Sequence, residues 1–218
     1  MPEDTAKFLR EELKRLTDEN HDLREALRTQ SESVRAMAML YHESQKISAD
    51  TDILQLLGHI LDVSLAVLKA SDGSLLLQDE GTGELVFAVV RGKVTDRLTG
   101  YRLPKGAGIA GWVVDHLEPQ VILDVRHDMR FFPQVDEAFG ITTRSMVCVP
   151  VYLDNGRVLG VIEILNKLSD REFNQDDLNL MLIVAQLAAT AMRRAERVTE
   201  EAERKSRRAA LLHGAKPR

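Results

Sequence analysis

Three groups of residues have types and spacings that could do chemistry. Gly106-x-Gly108-x-x-Gly111 matches the dinucleotide fingerprint, in which glycines let a pyrophosphate approach backbone amides at a helix start. Asp124 even ends an apolar strand downstream, but Tyr101–Lys105 makes a poor buried parallel strand. The following helix stops by Glu118-Pro119, too early for a βαβ unit of roughly 30 residues. Asp136 and Glu137 could form a general acid/base pair, yet adjacent carboxylates in a polar loop serve solvation or a helix start. No Ser-His-Asp order, nucleophile elbow or phosphate loop accompanies them. His42, His59, His116 and His127 lack a close metal-ligand spacing with an acidic partner, and Cys148 alternates within an apolar strand as a small buried hydrophobe. No catalytic residue, metal site or bound cofactor is assigned.

Composition narrows the classes further. The 218 residues are 44% hydrophobic and 29% charged but only 5% aromatic, which suits an aliphatic core of helices on a sheet rather than a β-sandwich. The single cysteine excludes a disulfide framework and a thiolate zinc site, and fits a reducing, cytoplasmic compartment. No apolar run has the ~18–20 residues needed to span a bilayer, and Met1-Pro2-Glu3-Asp4 is no leader, so neither a membrane nor processing is expected. The net charge of −5 hides an asymmetry: from Arg193 onward nine Lys/Arg face four Asp/Glu, leaving −10 on residues 1–192. A nucleic-acid-binding surface is not indicated.

The elements begin with a heptad run. Leu13, Asn20, Leu27, Val34 and Tyr41 fall at a positions and Leu9, Leu16, Leu23, Gln30 and Met37 at d positions, among Glu, Arg, Lys and Asp. With no Gly or Pro from Glu3 to Ala49, this predicts one long helix. An Asn at an a position fixes register across a parallel two-stranded seam, so a parallel homodimeric coiled coil is expected. An amphipathic helix folded back on its own domain is the alternative.

Ser48–Thr51 offers N-cap oxygens to a buried helix ending near Ala70. Ser74–Gln78 and Leu85–Val90 predict a hairpin, with a further strand near Thr99–Leu103. A short helix to about His116, a strand at Val121–Leu123 and a long connection with a helical piece over 124–140 follow. Ser145–Tyr152 and Val158–Leu165, joined at Asp154-Asn155-Gly156, form a second hairpin with an Asn-Gly turn. A last helix starts at Gln175 and turns charged after Ala191. The order has no βαβ rhythm and predicts an α+β fold: a central antiparallel sheet with helices on one face, flanked by long N- and C-terminal helices. The expected segments are a coiled-coil helix over 1–47, a domain over 48–192, and a charged helical extension with a frayed tail over 193–218.

Several motifs carry a resemblance: Gly108-Ile-Ala-Gly111 before a helix, Asp124–Phe131, Gly140–Val151, Gly160-Val-Ile-Glu163, and Asn166-Lys167 leading to Phe173. Over about residues 48–192 the chain resembles the GAF family of small-molecule regulatory domains. Asn166, Lys167, Phe173 and Asp177 fit the signature of the cyclic-nucleotide-binding GAF domains of phosphodiesterases and cyclases, although Leu178 replaces its final acidic residue. The resemblance implies that Lys167 and Asp177 brace the domain. It also implies a pocket at Ser74, Ile109, Ala110, Asp136, Thr143 and Glu163, with the Ile109 and Ala110 amides suited to a phosphate. Three pocket positions depart from the pattern. Val90 and Arg91 stand where an aromatic and an acidic residue contact the base, and Phe139 replaces a small hydroxyl residue.

These expectations describe a non-catalytic, dimeric sensory protein that binds a small molecule, with a cyclic nucleotide and another metabolite both open. The flanking helices would pass the signal to a partner protein or to an output domain outside this chain. The rival is an adaptor that binds protein through its coiled coil and GAF surface. A cavity closed by Val90, Arg91 and Phe139 favours the adaptor, and an open one with Asp136, Thr143 and Glu163 converging favours sensing.

Overall fold

The heptad run forms one helix, α1 (Pro2–Gln45), in a computed structural model that describes residues 2–45, 48, 51–93, 95–168 and 171–214. The chain divides into two units, Met1–Met39 and Leu40–Arg218. Within α1, Leu9, Leu13, Leu16, Leu23, Leu27 and Val34 are each at least 50% exposed. The side chains of the d residues Gln30 and Met37 lie outside the described residues, as does 215–218 of the tail.

In the second unit, α2 (Ile53–Leu68) is capped by Asp52 rather than by a residue of 48–51. Asp52 Oδ1 accepts the amides of Leu54 and Gln55 at 3.0 and 3.1 Å, two of the donors a helix start leaves open. α2 ends at Leu68, where Lys69 takes a left-handed conformation and turns the chain out of the helix. β1 (Ala70–Gln78) starts at once, four residues earlier than the sequence pattern predicts.

β2 (Leu85–Arg91) completes the first hairpin, α3 (Thr95–Leu98) follows, and the predicted third strand is only the pair Arg102–Leu103, β3. Next come α4 (Gly108–His116), β4 (Gln120–Ile122), a 3₁₀ turn (Val125–His127) and α5 (Gln134–Phe139). The second hairpin is β5 (Met146–Tyr152) and β6 (Val158–Lys167), and α6 runs unbroken from Gln175 to Gly214. The turn between β5 and β6 is not the two-residue type. Leu153 N–H donates to Arg157 O at 2.9 Å and Gly156 N–H to Leu153 O at 2.8 Å, a three-residue loop with Gly156 in the left-handed position.

The strands form one antiparallel sheet in the order β3-β2-β1-β6-β5-β4. α2 and α6, the two long helices of this unit, pack on one face, where Leu61 of α2 and Ile164 of β6 converge on Gly73. α4 packs against β5 and β6, and its Ile109 and Val113 join Leu76, Cys148 and Val161 in one buried cluster. β4 stops pairing at Cys148, two residues before Pro150, whose missing N–H could not extend that edge.

Gly160 marks where β6 meets β1 most tightly. A Cβ there would lie 1.9 Å from the Leu76 carbonyl oxygen, and φ is +154°. Gly160→Ala is expected to cost about 3 kcal/mol, because backbone cannot yield as a side chain does. Urea unfolding measures it, and a loss under about 1 kcal/mol would mean that the strands separate freely at this point.

Candidate functional site

Strand register assembles the floor of the site. Ser74 lies opposite Val90 on one side and Glu163 on the other, and Glu163 lies opposite Cys148. One row across β2, β1, β6 and β5 thus brings together residues up to 89 positions apart. Ser74 Oγ donates to Glu163 Oε2 at 2.9 Å, and both side chains are buried.

A cavity of about 680 Å³ opens above this row, within the size range of small-molecule sites. Ser74, Val90, Arg91, Ile109, Ala110, Asp136, Thr143 and Glu163 all line it. Thr143 braces Asp136 at both oxygens: its N–H donates to Oδ2 at 2.6 Å and its Oγ1 to Oδ1 at 2.8 Å. Ile109 and Ala110 precede the first intrahelical bond of α4, which Gly111 makes to Ala107 O at 3.0 Å. Both residues line the cavity, so the start of α4, with the amides a helix start leaves open and the dipole behind them, forms part of its wall. The glycine spacing that imitates a dinucleotide fingerprint has a packing cause, since a Cβ on Gly111 would come within 2.4 Å of the Gly106 backbone.

Two predicted positions behave differently from the rest. Arg91 contributes to the wall, but its guanidinium is drawn to α2, with Nε 2.6 Å from Asp62 Oδ1. Phe139 is not among the lining residues. Its ring meets Tyr101 edge-on at 5.2 Å and the Arg97 guanidinium lies 5.7 Å from its centroid. Phe131, Phe132 and Met146 also line the cavity, and the sequence reading does not assign them to it. The adjacent aromatics in an otherwise polar connection are the available signal, because such rings need an apolar partner.

Of the signature residues, Asn166 and Lys167 also line the cavity, and Phe173 and Asp177 do not. Asn166 Oδ1 accepts the Arg144 amide at 2.8 Å and its Nδ2 donates to Thr142 O at 2.9 Å, which fixes the loop that presents Thr143. Lys167 Nζ pairs with Asp177 Oδ2, with the side chains 11% and 15% exposed, and Lys167 also lies 5.2 Å from the Phe173 ring centroid.

Glu163 carries the distinctive electrostatics. Burial pushes its carboxyl up to about 7, against the opposing hydrogen bond from Ser74. The Cys148 thiol is also raised, chiefly by burial and further by Glu163, with Arg130 opposing. The thiolate needed for cysteine chemistry is thus disfavoured.

The GAF domain family model matches residues 50–193, so the chain belongs to the GAF family. A dual 3',5'-cyclic-AMP and -GMP phosphodiesterase 11A of Takifugu rubripes is 30% identical over 178 residues, covering 76% of this chain and 19% of the relative. The chain therefore spans about a fifth of that relative's length. The GAF domain of a Coxiella burnetii phosphoenolpyruvate-protein phosphotransferase superposes with a TM-score of 0.66 at 19% identity, covering 75% of this chain and 94% of the other. A free methionine-R-sulfoxide reductase of Neisseria meningitidis superposes with a TM-score of 0.60 at 22% identity, covering 78% and 91%. These two likenesses are of fold. No helix among the described residues is long and apolar enough to cross a membrane.

The raised carboxyl of Glu163 has a stability consequence. The folded protein binds more protons than the unfolded chain between about pH 4.5 and 7, so this contribution is complete below pH 4.5 and is lost as pH rises to about 7. Glu163→Gln is expected to remove that slope and to gain about 3 kcal/mol over the wild type on going from pH 4.5 to 8. Urea midpoints at the two pH values check it, and parallel curves for the two proteins would refute the assignment.

Proposed function

We propose that this chain is a non-catalytic, dimeric sensory module that binds a small molecule in the GAF cavity, with a cyclic nucleotide as the first candidate. The observation that supports it most is the open cavity, in which an acceptor at Glu163, the braced Asp136–Thr143 pair and the α4 amides share one space with apolar walls. Val90 and Arg91 leave that space open, and Phe139 lies off it. This arrangement favours sensing over the adaptor reading. The α4 amides suit a phosphate and the phosphodiesterase relative makes a cyclic nucleotide the natural probe.

Thermal unfolding with cyclic AMP and cyclic GMP tests the ligand. At 100 times the dissociation constant, binding adds about 2.7 kcal/mol and raises the midpoint by several degrees. Thr143→Val, which removes one bond to Asp136, is expected to weaken binding at least about tenfold. No shift with either nucleotide rejects that class, and silence across a metabolite panel favours the coiled-coil adaptor.

The dimer rests on α1, whose a/d leucines are exposed along one heptad seam that a second parallel copy would cover, with Asn20 paired to its own copy. Light scattering of the full chain is expected to give a dimer, and Leu16→Asp with Leu23→Asp a monomer. A dimer that survives both substitutions would move the interface away from α1. A partner signalling protein, or an output domain outside this chain, would receive the signal.

A further inference from the structure

The side chains that fasten α6 to its unit change in kind along the helix. Met181, Val184, Ala185, Ala188 and Ala191 are buried, and beyond Ala191 no described side chain of α6 is. Beyond it Met192, Arg194, Ala195 and Val198 are half-buried, and two ionic attachments join the helix to a turn of the sheet. Arg193 Nη1 lies 3.2 Å from Asp154 Oδ2, and Arg157 Nη2 lies 2.5 Å from each carboxylate oxygen of Glu196. Asp154 and Arg157 belong to the turn between β5 and β6. Arg157 reaches further still: Nη1 is 3.9 Å from Glu80 Oε1, beside the β1–β2 turn, and its buried Nε–H has no partner among the described residues.

The same strand is tied to the same helix at its other end, through Lys167 and Asp177. From Arg157 to Lys167 the strand covers about 33 Å at about 3.3 Å per residue, and from Asp177 to Glu196 the helix covers about 29 Å at about 1.5 Å per residue. The two lengths agree, so α6 runs antiparallel to β6 and is joined to it at both ends, with Glu163 between the joints, while the body of the helix packs chiefly on the neighbouring β5. Arg157 and Glu196 are 39% and 45% exposed, and ion pairs so exposed add little stability. Such a contact sets direction, and a ligand's differential affinity is enough to rearrange it.

We infer that Arg157, with Asp154, Arg193 and Glu196, sets the direction in which α6 leaves the domain and passes a displacement of β6 at Glu163 to the charged extension. This deepens the sensory reading by naming its transmission contact, and its test uses no ligand, so a failed ligand screen and a failed clamp are distinguishable.

Amide hydrogen exchange over residues 197–208 of the full chain provides that test. Arg157→Ala and, from the helix side, Glu196→Gln are each expected to speed exchange at least about threefold with little change in thermal midpoint. The charge-reversed pair Arg157→Glu with Glu196→Arg is expected to restore protection. Glu163→Gln, as a perturbation of the cavity floor, is expected to alter exchange in the wild-type background and not in Arg157→Ala. Unchanged exchange in both single variants overturns the clamp. A Glu163→Gln effect that is absent from the wild-type background, or equal with and without Arg157, overturns the transmission.

Discussion

The close approach of β6 to β1 at Gly160 is the constraint to which the rest of the second unit is referred. β6 is hydrogen-bonded on both sides, and a single methyl group at Gly160 would collide with the Leu76 carbonyl. From that fixed point the strand carries Glu163 into the cavity floor, Asn166 to the loop before β5 and Lys167 to the start of α6. Cavity, loop and exit helix therefore share one rigid reference, and a change at any of them is felt along the same strand.

The electrostatics follow from that placement. Glu163 is buried because register puts it between Ser74 and Cys148 under the apolar wall, and a carboxyl so placed resists ionisation. Asp136 is at the cavity edge with both oxygens engaged by Thr143. Two carboxyl groups lining one space thus have different partners and different burial, which gives the cavity an acceptor on its floor and a braced group on its wall.

Much of this is legible from residue patterns. The heptads of α1, both hairpins and α6 are local periodicities, and local periodicity survives in sequence. The motifs at Gly108–Gly111 and Asn166–Asp177 locate the family, and of the nine expected pocket positions eight line the cavity. What escapes is set by neighbours distant in the chain. Arg91 turns to Asp62 because α2 lies beside β2, and Phe139 turns to Tyr101 because the segment before β3 meets α5. The Asn-Gly dipeptide predicts a two-residue turn where the loop has three, and of the pair only Gly156 takes the positive φ that a type I′ turn asks of both.

By itself the sequence determined the periodic elements, because these depend on spacing within a few turns, while the pairing of Lys167 with Asp177 is implied by the family resemblance. Tertiary structure alone decided which side chains meet across the sheet. The row Val90–Ser74–Glu163–Cys148 is a property of strand register, and register arises from packing of whole faces, so no local pattern could place Glu163 beside Ser74 or join Arg157 to Glu196.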